Sequence, residues 1–408
     1  MCDELRAIGL AAGLDAVGIA AATAFTETRD HLEARRAVGL HGGMAFTYRN
    51  PARSTEPHRI VAGAQALVVG ARRYPSQRTG AASRAAVEAG AARAPGGAVP
   101  GGGVVAGGGE AATGVVARYA SEDHYGPLRH ALGAIAERLR LDGWQARVIA
   151  DDNALVDREA ARRAGLGWYG KNTNLLLPGL GSWFVLGSVV TDAPLPPAAE
   201  LVADGCGACR RCLPACPTGA LVAPGVLDAR RCLAWLVQAP GVFPVEHRVA
   251  LGDRLYGCDD CQEVCPENAA AVRIGLAPAS AVAGGGAGVG QDRFRPGPGD
   301  RPTVDLLELL ATSDAELMER YGRWYIPRRE PRYLRRNALV ALANTADGRD
   351  AGVEAALVRA LADADPIVRG HAVWAAARLG RHDLLAAVAG DEHPDVRREL
   401  EIAASDLT

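Results

Sequence analysis

Residues 206–217 read CGACRRCLPACP and residues 258–266 read CDDCQEVCP. Eight of the nine cysteines lie between Cys206 and Cys265; only Cys2 lies outside. The first run spaces Cys206, Cys209, Cys212 and Cys216 as C-x2-C-x2-C-x3-C with Pro217 behind, the spacing of a bacterial ferredoxin loop that holds a [4Fe–4S] cluster. Three thiolates on one tight loop cap three irons, and the fourth cysteine of the run goes to a second cluster. The second run supplies Cys258, Cys261 and Cys265, and Cys232 is the candidate for its missing fourth. The expected sets are Cys206, Cys209, Cys212 and Cys265 for one cluster, and Cys216, Cys232, Cys258 and Cys261 for the other. Paired C-x2-C runs also bind zinc, but zinc needs neither the third cysteine two residues on nor the fourth with proline behind it. Two clusters imply one-electron chemistry.

Outward from this module, 408 residues allow two to four domains. A hydrophobic share of 49% is ordinary for a globular chain, and a net charge of -2 means that any nucleic-acid partner must be held by a local patch. The start, MCDELRAIGLAAGLDAVGIA, has early acids and no basic stretch, so no signal peptide is expected. No apolar run reaches about 18 residues, so no membrane partner is expected. Free thiols and oxygen-sensitive clusters point to the reducing cytoplasm, and the chain is expected to be a monomer.

Residues 1–200 carry alternating helical and strand patterns. Asp15–Ala20, Ala66–Gly70, Val115–Ala120, Arg147–Ala150 and Ser182–Thr191 read as strands. Thr26–Val38, Pro127–Leu141 and Ala154–Ala164 read as helices, the second with Leu128, Leu132, Ile135 and Leu139 at spacings of four, three and four. This rhythm predicts an α/β or α+β domain. Residues 76–113 are mostly Gly, Ala, Ser and Pro and read as a flexible insertion. The cluster module spans 201–272, a Gly/Pro-rich linker 273–302, and an all-helical tail 303–408, with Val304–Arg320 read as helical. In the tail, DADPIVR at 363–369 recurs as DEHPDVR at 391–397, a short HEAT-like repeat whose stacked units would offer a concave face to a large partner. Arg369 and Arg397 read as turn-stabilising.

Two constellations carry chemistry. Asp151 and Asp152 follow the strand ending at Ala150, where a buried acid can donate a proton; the alternative is that one of them only caps the following helix. The stretch AGLGWYGKNTN (164–174) has glycines at 165, 167 and 170 that would let a large ligand approach the backbone. Separately, Arg323, Arg328, Arg329, Arg332, Arg335 and Arg336 stand among Trp324, Tyr325 and Tyr333 against the single acid Glu330. Arginines grip phosphate and aromatics stack on unpaired bases.

RYA (118–120), the stretch from Asp151 to Arg158, AGLGWYGKNTN, GSWF (181–184), the two cysteine runs with DARRC (228–232) and YGCDDCQEVCP (256–266), and the RRN helix follow one another in an order that resembles epoxyqueuosine reductases. The resemblance implies a nitroreductase-like domain binding cob(II)alamin base-off beside one of two [4Fe–4S] clusters, with HEAT-like repeats behind. It implies that the clusters relay electrons, from a donor such as ferredoxin or flavodoxin, to the cobalt. The substrate would be the epoxide of epoxyqueuosine at the wobble position of a tRNA anticodon stem-loop, reduced to queuosine. The family's acid falls on Asp151, counted back from Arg158. Arg53, Tyr119, Arg158, Asn172, Thr173 and Ser182, with Asp151, fall where the cofactor is contacted; the arginine run would hold tRNA. His124 and Tyr125 are taken as structural. Reductive dehalogenases share the cofactor set, so a small-molecule cobalamin reductase is the competing enzyme. A two-cluster electron carrier on a helical scaffold is the competing non-enzyme.

Overall fold

A computed structural model describes residues 1–74, 112–269 and 302–405. Almost all of the expected insertion and linker lie outside the described residues. The chain divides into two compact units. The first takes the described residues of Met1–Arg78, Ser121–Cys232 and Asp259–Gly297; the second takes those of Thr79–Ala120, Leu233–Cys258 and Pro298–Thr408. They do not follow the contiguous boundaries read from the sequence.

The first unit contains α1 (Cys2–Ala11), β1 (Ala16–Ala21), α2 (Thr26–Ala37), β2 (Ala66–Arg73), α3 (Tyr125–Leu141), β3 (Ala146–Ala150), α4 (Asp157–Arg163) and β4 (Phe184–Thr191). Its sheet has the order β1-β2-β4-β3, every neighbour antiparallel. Val68 pairs with Ile19 on one side and Val189 on the other, and Val189 pairs onward with Val148. Of the two classes left open by the sequence, antiparallel pairing makes this unit α+β.

Alternation along β2 explains why helices cover both faces. Leu67, Val69 and Ala71 share a core with Ala160, Ala161 and Ala164 at α4. On the opposite face, Gly70 and Gly187 leave room for α3 and the turn after α1. A Cβ at Gly70 would lie 2.7 Å from Leu14 Cδ1, and one at Gly187 would lie 2.7 Å from Leu132 Cδ1. Leu128, Leu132, Ile135 and Leu139 of α3 are all fully buried, each such burial being worth about 1.5–3 kcal/mol. The helix expected from Ala154 begins only at Asp157, because Asp152 Oδ1 accepts from the Ala154 amide at 2.8 Å and closes a turn there.

In the second unit, Thr113–Val116 is the central strand between Arg254–Tyr256 (parallel) and Thr303–Asp305 (antiparallel). The strand expected at Val115–Ala120 within the first 200 residues therefore belongs here, and Arg118–Ala120 is a 3-10 turn. Helices follow as α5 (Val245–Leu251), α6 (Leu306–Ala311), α7 (Asp314–Tyr321), α8 (Arg332–Thr345), α9 (Ala351–Leu361), α10 (Pro366–Arg378) and α11 (Pro394–Ser405). The helical stretch expected over Val304–Arg320 begins at Leu306, after the strand Thr303–Asp305, and is interrupted where Ser313 and Glu316 form the capping box that starts α7. The repeated heptapeptides place a proline at the first residue of both α10 and α11, where proline costs no hydrogen bond. Arg369 ties this turn by donating to Asp391, Asp363 O and Ala364 O.

Several buried polar groups in this unit are paired, although His382 Nδ1 is buried without a partner among the described residues. Arg248 and Glu399 make two hydrogen bonds of 2.7 and 2.6 Å. His371 Nε2 accepts from the Phe243 amide at 3.1 Å, so the ring is neutral at that nitrogen. Burial, with Arg248 nearby, holds its pKa well below the usual range. Among the described residues, no helix is long and apolar enough to cross a membrane.

Candidate active site

The first cysteine loop turns through Gly207 (φ +46°), and Cys209 N donates to Cys206 O. Burial first, then negative charge on Cys265, Cys206 and Cys209, pushes the Cys212 thiol up to about 11. Burial also raises Cys265, against the amides of Asn268 and Glu267, and Cys206 acts on it as well. Cys206, Cys209, Cys212 and Cys265 thus stand within electrostatic reach of one another. Four such thiols are mutually repelling as thiolates unless a cationic group neutralises them, which fits an iron cluster. Among the described residues, no three His, Cys, Asp or Glu side chains converge closely enough for a single metal ion; a cluster spreads its ligands more widely. Of the second expected set, Cys216 Sγ accepts from Ala220 N at 3.2 Å, and Thr218 Oγ1 donates to Arg231 O, beside Cys232. Cys261 sits in the turn Asp260–Glu263. Cys258 packs against the core of Leu233, Phe243 and Val340 in the second unit.

Asp151 ends β3 with φ +55°, a left-handed conformation that aspartate tolerates better than most residues. The residue is exposed, yet protein crowds its carboxyl enough to raise its pKa. Arg129 opposes that rise and Asp152 adds to it. Asp157, at the first position of α4, was not singled out in the sequence, where it reads as an ordinary acid in a first helical turn. Its Oδ1 is buried without a hydrogen-bond partner among the described residues. Burial first, then Asp151 and Asp152, raise its pKa well above the carboxylate range against Arg158. Tyr125 lies in the same electrostatic neighbourhood, its pKa raised by burial and by Asp151 and Asp157. His124 packs on Tyr74, ring centroids 5.1 Å apart.

The other expected cofactor residues gather on the adjoining loop. Arg158 Nη1 donates to Thr173 O at 3.1 Å. Thr173 has φ +67°, costly for a β-branched residue. Its amide donates to Gly170 O, and Asn172 Oδ1 accepts from Asn174 N at 3.1 Å. Asn172 Nδ2 reaches Cys261 O at 3.3 Å. Ser182 is held by two residues that the sequence did not flag: Gln262 Oε1 at 2.8 Å and Asn268 Oδ1, which accepts from the Ser182 amide at 2.6 Å. Arg53 lines a pocket of about 440 Å³ with Phe46, Arg49, Asn50, Ser54 and Asn153. Neither the Arg49 nor the Arg53 guanidinium has a protein partner among the described residues. Tyr119 belongs to the second unit, where its hydroxyl accepts from Gln238.

Two expectations are corrected. Gly165, Gly167 and Gly170 do not open the backbone to a ligand. A Cβ at Gly167 would meet Leu176 O at 2.0 Å and one at Gly170 would meet Leu176 Cδ1 at 2.8 Å, so they permit hairpin packing, while Gly165 (φ +69°) follows α4. Arg336 is not a tRNA contact. It is fully buried and donates to the carbonyls of Leu236, Val237, Ala239 and Gly241. Trp324 and Tyr333 are buried too, leaving Tyr325 exposed. Arg332 pairs with Glu330 and Asp365, and Arg335 with Asp314. Arg323 donates to Ala120 O and remains exposed. Arg328 and Arg329, both in left-handed conformation (φ +52° and +58°), project from the turn before α8.

Thiol set, acid-bearing strand end and helical repeats define an iron–sulfur oxidoreductase with a repeat unit. Residues 205–268 match the 4Fe-4S double cluster binding domain and residues 325–405 match HEAT repeats. The chain is 30% identical over 377 residues to the epoxyqueuosine reductase of Bacillus anthracis, covering 90% of this chain and 86% of that one. A crystal structure of epoxyqueuosine reductase with an epoxyqueuosine-modified tRNA-Tyr stem loop superposes with a TM-score of 0.78 at 28% identity, over 99% of this chain and 98% of that one. The Bacillus subtilis enzyme, solved with its aspartate catalytic loop swung out of the active site, gives 0.76 at 27% identity, over 99% of this chain and 98% of that one. The chain belongs to the epoxyqueuosine reductase family.

Proposed function

We propose that the chain reduces epoxyqueuosine to queuosine at the wobble position of tRNA, with Asp151 as proton donor. Family membership over nearly the full length carries this reading. Residues 1–200 would act as a nitroreductase-like cobalamin domain, 201–272 as the two-cluster module and 303–408 as the tRNA-binding repeat, in a cytoplasmic monomer supplied by a ferredoxin or flavodoxin. Two electrons and two protons turn an epoxide into an alkene and water. When bound, cobalamin supplies the low-potential metal centre for that reduction. The residues fit such a group: Arg49 and Arg53, with Asn50 and Asn153, line a cleft whose polar chemistry suits the amide arms at one edge of a corrin.

Asp151 stays protonated to higher pH than an ordinary aspartate, because burial raises it, and donates to the opening epoxide oxygen. Arg158 holds Thr173 O, fixing the loop on which Asn172 and Thr173 would meet the cofactor. Gln262 and Asn268 orient Ser182 for the same purpose. Cys206, Cys209, Cys212 and Cys265 would hold one cluster, Cys216, Cys232, Cys258 and Cys261 the other. Arg323, Arg328 and Arg329 are the exposed arginines left to grip tRNA phosphates; Arg332 and Arg335 would first have to leave their ion pairs. The test is an anaerobic assay with reconstituted protein, cobalamin, a chemical reductant and tRNA bearing epoxyqueuosine, digested and read by mass spectrometry. Loss of one oxygen that requires cobalamin and Asp151 is expected. No conversion by protein loaded with corrin and both clusters would refute the reading.

A further inference from the structure

Of the 45 lysine and arginine residues in the chain, Lys171 is the only lysine. Every other basic position uses arginine, so this one site keeps an ammonium where the rest of the sequence has a guanidinium. Its Nζ donates to Gly207 O at 2.5 Å and to Cys209 O at 2.9 Å. Both carbonyls belong to the first cysteine loop. Lys171 itself lies in the loop of Asn172 and Thr173, and its own carbonyl accepts from Gly225 N at 2.9 Å. The ammonium therefore bridges the loop that carries the expected cofactor contacts and the loop that carries Cys206, Cys209 and Cys212.

Geometry gives this contact a direction. Among the described residues no cis peptide is present, and in a trans peptide the N–H points away from its C=O. With the Gly207 and Cys209 oxygens turned toward Lys171, the amides of Ala208 and Arg210 point to the other side. Among the described residues, neither amide has a protein acceptor. Both remain available to cluster sulfurs, and the ammonium polarises the same two peptides from behind. A compact ammonium with three rotatable donors suits two converging carbonyls, whereas a planar guanidinium suits a carboxylate fork.

We infer that Lys171 sets the reduction potential of the cluster held by Cys206, Cys209, Cys212 and Cys265 and fixes that cluster's loop to the cofactor loop. This rests on the cluster assignment proposed above. Lys171 would itself carry neither electron nor proton; its part would be to hold and polarise the loop that binds the cluster. Its charge, with the two aligned amides, favours the more negative reduced cluster, since net charge and hydrogen bonds to sulfur tune such potentials.

The experiment is potentiometric titration of the anaerobic holoprotein followed by electron paramagnetic resonance, with iron content measured alongside. In Lys171→Gln, one of the two cluster couples should move to more negative potential, and the ratio of reduced to oxidised cluster at fixed poise should fall roughly tenfold, about 59 mV for one electron. The other couple is the internal control and should stay in place. Lys171→Arg, which keeps the charge, should recover most of the shift. A Gln variant with full iron and both couples unmoved overturns the inference. So does loss of iron from both variants, which would make Lys171 a structural clamp only. A wild-type protein without cluster signals would instead sink the cluster assignment itself.

Discussion

Arg336 and Asp157 are both enclosed by protein, and the two units treat them differently. Arg336 spends its donors on four backbone carbonyls, while Arg248 and Glu399 satisfy each other close by. Asp157 leaves Oδ1 without a donor, and its neighbour Asp151 is held in a left-handed conformation with a raised pKa. A buried polar group that is fully paired fixes architecture; one left short is a reserve of strain and proton affinity. The helical unit uses its charges for structure, and the strand end at Asp151 holds the acid proposed above as proton donor.

The strongest way to break this contrast is Asp151→Asn. Asparagine also tolerates the left-handed region, so the thermal midpoint should hold while the single-turnover rate falls by about 10²–10⁴. The wild-type rate should decline as pH rises through the raised pKa of Asp151, because the acid form is then lost. An unaltered rate would move the proton donor elsewhere, and Asp152→Asn would be assayed next. Arg336→Met should do the reverse: a loss of about 3–5 kcal/mol in denaturant unfolding, with turnover per folded molecule retained. A stable Arg336→Met protein with weakened tRNA binding would contradict its structural role.

Asp157→Asn sharpens the same contrast on a smaller scale. A carboxyl whose folded pKa is raised binds more protons folded than unfolded, so stability falls as pH climbs from the ordinary carboxylate range through the raised value. Wild type should lose up to about 1.4 kcal/mol per pH unit across that window, and the variant should show a flatter midpoint-against-pH curve. The smallest effects belong to the arginine turn. Arg328→Ala and Arg329→Ala should each lower the salt dependence of tRNA binding by about one unit of log–log slope. Arg332→Ala should change stability more than slope, since its guanidinium is already paired.

What the sequence made legible follows from how locally each feature is encoded. The cysteine spacings write the ligand chemistry into a few residues, and the thiols of Cys206, Cys209, Cys212 and Cys265 do fall within reach of one another. Helix α3 is equally local: four leucine and isoleucine side chains at helical spacing mark its buried stripe. Strand partners are not local, so the antiparallel order and the loss of Val115–Val116 to the second unit were out of reach. The arginine run misled for a related reason. Arg336 shares the inward face of α8 with Tyr333, Asn337 and Val340, and a charge count cannot tell an inward arginine from an outward one. Lys171 sits in a glycine-rich stretch that gives no local sign of its role, and its partners lie 36 and 38 residues away. Asp157 carried no signal, because only tertiary packing encloses its carboxyl.

The placement of Thr113–Val116 between Arg254–Tyr256 and Thr303–Asp305 also sets a timetable for the newborn chain. At a synthesis rate of about 5–20 residues per second, this strand must wait roughly 10 to 40 s on the ribosome before its second neighbour is made. Throughout that interval Val115 and Val116 offer at least one unsatisfied backbone edge to any passing strand. Slowing translation between residues 116 and 303 should therefore lower soluble yield, and a chaperone that shields the strand should restore it.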